Sequence, residues 1–106
     1  MEKIILLPQL IEKIERLTVI LFDKEYFSYP EDAIAYTDAI YDFIYTIPGN
    51  LRRRTKHPRY GLYYCRYKAN TQTTYYITFD VIQGYYFIKN IISNHTKEYP
   101  LYIRGR

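Results

Sequence analysis

From Pro8 onward, Leu10, Ile14, Leu17 and Leu21 recur at helical spacing with Ile11 beside them, while Glu12, Lys13, Glu15 and Arg16 fall on the other side. This is the pattern of an amphipathic helix with one buried stripe. Pro8 suits the first turn of such a helix, and the helix is expected to fray over Lys24–Phe27. Ahead of it, Lys3–Leu6 is a short apolar run that reads as an edge strand. A second helix is expected after Ser28: Ser28 and Glu31 have the spacing of a capping box, Pro30 sits in the first turn, and Glu31 and Asp32 favour its positive end. Its apolar seam is Ala33, Tyr36, Ile40, Phe43, Ile44 and Ile47, and Pro48-Gly49-Asn50 stops it. So short a connection between the two implies an antiparallel helix hairpin.

The stretch Leu51–Arg59 has no periodicity and reads as a loop, after which the period becomes two. Strands Leu62–Lys68, Thr73–Phe79 and Tyr85–Ile92, with turns at Ala69-Asn70-Thr71 and near Asp80–Gly84, predict a three-stranded antiparallel meander. In the first, Tyr63, Cys65 and Tyr67 share one face, and Tyr64, Arg66 and Lys68 share the other. In the second, Tyr75, Ile77 and Phe79 face the core, with Thr74, Tyr76 and Thr78 opposite. The third is apolar on both faces, Tyr86, Ile88 and Ile92 against Tyr85, Phe87 and Ile91, as suits a well-covered strand. The element order is therefore β-α-α-β-β-β: an α+β fold, with the helix hairpin packed on one face of a small antiparallel sheet and the other face presenting Arg66, Lys68 and neighbouring tyrosines. With 106 residues, the chain is expected to form a single domain, 1–106. Ile14, Leu17, Ile40, Phe43, Ile44, Ile77, Phe79 and Ile88 are its expected core.

An apolar content of 48% and a charged content of 25% exclude a disordered chain. The lone Cys65 has no cysteine to pair with and no ligand partners at metal-binding spacing, so no disulfide, metal or cofactor is expected, and the thiol suits a reducing compartment. The opening residues MEKIILLPQL lack the long apolar run of a signal peptide, and no stretch reaches the length of a membrane span, so a cytoplasmic protein without membrane partners is expected.

Charge changes the picture more, because it is segregated. Between Asp42 and Asp80 there is no acid, yet this stretch holds Arg52, Arg53, Arg54, Lys56, Arg59, Arg66 and Lys68. The first 42 residues carry nine acids against four bases. One part of the surface should therefore be strongly positive and attract phosphate or an acidic protein. Tyrosine is the other outlier, at 15 residues with no Trp, and eight lie between Tyr60 and Tyr86. Most suit a half-buried pleated surface; those beside Arg66 and Lys68 are candidates for stacking on bases.

The run Lys56-His57-Pro58-Arg59-Tyr60-Gly61-Leu62-Tyr63-Tyr64-Cys65-Arg66-Tyr67-Lys68, followed by Tyr75-Tyr76-Ile77-Thr78-Phe79 and by Tyr86-Phe87-Ile88-Lys89-Asn90-Ile91-Ile92-Ser93-Asn94-His95, resembles the RelE/ParE superfamily of toxins from type II toxin–antitoxin systems. In that superfamily a helix hairpin is followed by an arginine-bearing strand, an aromatic-aliphatic strand and a last strand running into a histidine. The resemblance implies a small toxin that arrests growth and is neutralised by a cognate antitoxin, typically an acidic or amphipathic segment covering the basic face.

It also implies one of two activities: ribosome-dependent cleavage of mRNA, as in RelE-like members, or poisoning of DNA gyrase, as in ParE-like members. Cleavage needs a base for the ribose 2′-hydroxyl, an acid for the 5′-oxygen and cations for the charge gathering on phosphorus. Arg66 would supply a planar fork for phosphate, and His95 is the residue type that exchanges protons near neutral pH; these two are the catalytic candidates if the protein is a nuclease. Candidates for binding nucleic acid or antitoxin are Arg52, Arg53, Arg54, Lys56, Arg59, Tyr64, Lys68, Tyr76 and Lys89. Solvated strand and loop residues, and a histidine that merely caps a strand, are the plainer readings of the same positions. The last strand offers Lys89 where ribosome-dependent nucleases often bring a second arginine, and this inclines the reading towards a ParE-like toxin. A non-toxic binding module on the same scaffold is the third reading.

Overall fold

The computed structural model describes residues 3–24 and 27–104. Its elements are β1 (Lys3–Leu6), α1 (Pro8–Asp23), α2 (Pro30–Ile44), a two-residue β2 (Arg53–Arg54), β3 (Tyr63–Lys68), β4 (Thr74–Ile82), β5 (Tyr85–Ser93) and a C-terminal π-helix (Tyr99–Arg104), with 3-10 turns at Ile47–Gly49 and Pro58–Tyr60. The fold class is α+β. All strands join one five-stranded sheet in the order β1-β5-β4-β3-β2. The sheet is mixed, because β1 runs parallel to β5 while every other pair is antiparallel.

The hairpin of α1 and α2 covers one face. On α1, Leu10 and Ile14 are fully buried; on α2, Ala33, Thr37, Ile40 and Ile44 form the inward stripe. Thr37 interrupts the apolar seam read from the sequence, and its hydroxyl has a use. The Thr18 Oγ1 donates to Thr37 Oγ1 at 2.8 Å, and the two hydroxyls otherwise bond back to their own helices, at Ile14 and at Ala33 and Ile34. A small, internally satisfied polar contact thus lets the two helices approach closely. Leu17 and Phe43 sit at the margin of the core, half-buried, where full burial was expected; Ile14, Ile40, Ile44, Ile77, Phe79 and Ile88 are completely enclosed. The capping box does not form: Tyr29 is the N-cap of α2, without a side-chain cap bond, and Pro30 with the acids Glu31 and Asp32 makes up the first turn. The expected fraying over Lys24–Phe27 includes positions 25 and 26, which lie outside the described residues.

β4 runs three residues past its expected end at Phe79 and β5 one past Ile92, so the turn expected near Asp80–Gly84 shrinks to Gln83 and Gly84, both at positive φ (50° and 84°), as a two-residue hairpin turn that matches strand twist requires. Pairing then slips once. Thr78 faces Asn90, but Phe79 faces Ile88, so Lys89 is an extra residue. This bulge inverts the facing of everything beyond it. Ile91 therefore joins Ile88 under the hairpin, and Ile92 goes to the opposite face, the reverse of strict alternation.

That opposite face is not bare. The C-terminal π-helix and the 3-10 turn at Pro58–Tyr60 lie across it, burying Tyr76, Ile92 and Ile103 among Tyr60, Tyr64, Tyr99 and Tyr102. Thr55 anchors the basic loop through its N–H to the Leu62 carbonyl (2.9 Å) and its hydroxyl to the Gly61 carbonyl (2.7 Å), and the Lys56 N–H reaches the Tyr102 carbonyl (2.7 Å). Gly61 allows this fit. Its φ is +135°, and a Cβ there would stand 2.9 Å from the Phe79 backbone nitrogen.

Ile14→Ala should cost about 2–5 kcal/mol in a denaturant melt, as truncation of an enclosed aliphatic side chain does; a near-neutral effect would contradict its central position. Gly61→Ala should cost about 1–3 kcal/mol through strain and crowding against Phe79, whereas the same change at Gly49, which has nothing within 4 Å of an added Cβ, should be tolerated.

Candidate functional site

The basic segment folds onto the β3 side of the sheet, where the sequence showed only a loop. Arg53 pairs with Tyr64 and Arg54 with Tyr63, and strand alternation then divides the arginines. Arg52 and Arg54 turn to the ring of Tyr63, with guanidinium carbons 4.7 and 5.7 Å from its centroid. Arg53 turns the other way and shares a cavity of about 250 Å³ with Tyr64 and Arg66, floored by Leu51, Cys65 and Phe43. β2 ends after covering Tyr63 and Tyr64, so β3 from Cys65 to Lys68 is an uncovered edge.

Among the described residues these cations have no salt-bridge partner. Among the described residues the salt bridges are Arg16 with Glu12 (3.6 Å) and Lys89 with Asp80 (2.8 Å). Arg52, Arg53, Arg54, Lys56, Arg59, Arg66 and Lys68 are all exposed and all outside those pairs. Stacking on tyrosine holds Arg52, Arg54 and Arg59 in place without neutralising them. A set of fixed, unpaired guanidinium groups beside an aromatic ring is an arrangement for holding phosphate or carboxylate.

The remaining candidates lie elsewhere. Tyr76 is 7% exposed, its ring 5.6 Å from Tyr64 and 5.1 Å from Tyr99, and burial pushes its phenol up to about 12; it is a packed residue with no free face for a base. Tyr64 is half-buried and is the aromatic beside Arg66 that still lines a cavity. Lys89, at the bulge, is held by Asp80, whose other oxygen accepts the Leu62 N–H at 2.8 Å. His95 follows β5, with its Nε2 3.2 Å from the Thr73 hydroxyl and its N–H on the Ser93 hydroxyl. It lines a cavity on the hairpin side with Leu17, Tyr36 and Tyr75, whereas Arg66 projects on the other face. Arg66 and His95 thus line different cavities.

Cys65 is a structural thiol. It is 2% exposed, it points at the Leu51 carbonyl (3.4 Å), and burial pushes it up to about 11 against the opposing influence of Arg52. No group of three or more His, Cys, Asp or Glu that would hold a metal occurs among the described residues, and no helix there is long and apolar enough to cross a membrane. Sequence reasoning missed Asp80 as the partner of Lys89, because the bulge that joins them leaves no mark in the alternation.

The fold and site together define a small α+β domain with an arginine-rich sheet edge. No family model matches the chain, and no curated protein and no solved structure matches it either.

A thiol-labelling time course at mildly alkaline pH should find Cys65 silent in the native protein and reactive at the rate of unfolding. Rapid labelling of the folded chain would mean that the Leu51 segment does not cover it.

Proposed function

We propose that the protein is the toxin of a type II toxin–antitoxin system with a RelE/ParE-like fold, acting in the cytoplasm by binding rather than by cutting RNA, in the manner of ParE-like gyrase poisons. The observation that carries this reading is the set of unpaired, tyrosine-braced cations along β2 and β3. A protein that leaves seven positive side chains outside every salt bridge among its described residues is suited to take carboxylates from a partner, and an acidic antitoxin is the partner the resemblance implies. Opposite charges would speed the encounter, while apolar contacts along the open β3 edge would lengthen the residence time. The helix hairpin on one face of the sheet, and an arginine strand followed by an aromatic-aliphatic strand, agree with that superfamily's element order.

Three observations favour binding over cleavage. The proton-transfer candidate His95 and the cation Arg66 face different cavities, Lys89 is engaged with Asp80, and Tyr76 is enclosed. The RelE-like alternative, a ribosome-dependent endoribonuclease, draws on one: Arg53, Arg66 and Tyr64 converge on a single cavity, where two guanidinium groups would cradle a phosphate.

Induced expression in a bacterial host should arrest growth, with a DNA-damage response and intact transcripts, and co-expression of a small protein encoded beside it should restore growth. Arg53→Glu with Arg66→Glu should leave the thermal melt unchanged, abolish arrest, and slow association with an acidic partner by about tenfold or more. Codon-phased mRNA ends that disappear in Arg66→Ala would replace the gyrase reading with the nuclease. Harmless expression would replace both with a non-toxic binding module.

A further inference from the structure

On the far side of the sheet from the arginine edge, a second basic cavity has formed that shares only Arg59 with the cations of the proposed function. β1 stops at Leu6, paired to Ile88, and the bulge follows at Lys89, so the edge of β5 is left open there. Elements from both faces of the sheet close around the gap. α1 contributes Glu12, Lys13 and Arg16 from one flank, the 3-10 turn contributes Arg59, and β5 contributes Lys89 and Asn90; they enclose about 340 Å³. Four cations and one carboxylate thus share a small volume.

The partners within it are unequal. Arg16 leans on Glu12 at 3.6 Å, which also occupies the one acid, and Lys89 is held by Asp80 at 2.8 Å. Among the described residues Lys13 has a neutral amide as its hydrogen-bond partner, its Nζ donating to Asn90 Oδ1 at 3.0 Å. Burial lowers its pKa and outweighs the opposing pull of the Glu98 carboxylate. Arg59 rests on the ring of Tyr60 at 5.6 Å and is in no salt bridge among the described residues. A half-buried ammonium with no carboxylate in salt-bridge contact is a costly arrangement, and a tetrahedral dianion between Lys13 and Arg59 would relieve it with charge-assisted hydrogen bonds.

We propose that this cavity is a phosphate-binding site, in which Lys13 and Arg59 hold the anion and Arg16 and Lys89 set the surrounding field. It is separate from the β2–β3 edge and stands whether or not the protein is a toxin. The ligand class is a phosphate group, either on a small phosphorylated molecule or within a nucleic-acid backbone.

The test is thermal stability of the full chain in inorganic phosphate, against sodium chloride of equal ionic strength. Phosphate should raise the melting temperature saturably and chloride should not; equal effects of the two salts would overturn the proposal. Lys13→Met and Arg59→Gln should each weaken phosphate binding by about tenfold or more, the effect expected for losing one charge-assisted bond. Arg59 is exposed, so its variant keeps the test valid even where Lys13→Met unfolds the protein. Arg53→Ala with Arg66→Ala should leave phosphate binding intact; loss there would assign the anion to the other edge and sink this site. Titration with a nucleoside monophosphate and with a short oligonucleotide then separates the two sources: tighter binding of the former by the same residues marks a small ligand, and of the latter a backbone.

Discussion

β5 is hydrogen-bonded on one side to the parallel strand β1 and on the other to antiparallel β4, and the extra residue at Lys89 falls between these two commitments. Ahead of the bulge, Tyr86 and Ile88 pack under the hairpin; beyond it, Ile91 does so and Ile92 joins the tyrosines of the opposite face. Without the slip, Ile91 would leave the main core. The same irregularity brings Lys89 to Asp80 and opens the sheet edge beside α1. A single backbone departure thus sets which side chains pack and which charges pair.

The regular parts of the fold were legible because periodicity is a local signal. Helix Pro8–Asp23, the seam through Ile40 and Ile44, and the facing of Tyr63, Cys65 and Tyr67 all follow from residues spaced along one element. What escaped depends on contacts distant in sequence. β2 is only two residues long and exists because Tyr63 and Tyr64 offer it a ladder. The π-helix at Tyr99–Arg104 has no apolar period of its own and is shaped by the surface of Tyr76 and Ile92 on which it lies. Ser28 has the right neighbour for a capping box, but the chain enters α2 through Tyr29 instead. Of the candidate site, the cations were visible as a cluster, and Arg66 does stand free; the partition of the arginines to two sides of the strand needed the pairing register.

Charge is organised by edges more than by faces. One edge, at β2 and β3, carries guanidinium groups fixed on tyrosine and unopposed; the other, beyond β1, gathers cations of which some are already matched. The acids of α1 and α2 are all exposed, and Glu12 alone among them lines the second cavity. Long-range attraction therefore survives within the molecule instead of being spent internally, a condition for rapid capture of an oppositely charged partner.

The parallel partnership of β1 has a kinetic corollary. The hairpin of β4 and β5 closes through two residues and is a local event, but the first strand of the chain finds its place only beside one of the last. During synthesis, β1 must wait until β5 has emerged, with the amphipathic side of α1 exposed in the interval. Non-local closure of this kind slows folding and lengthens the window for aggregation, so the interval between the emergence of α1 and that of β5 is the vulnerable one.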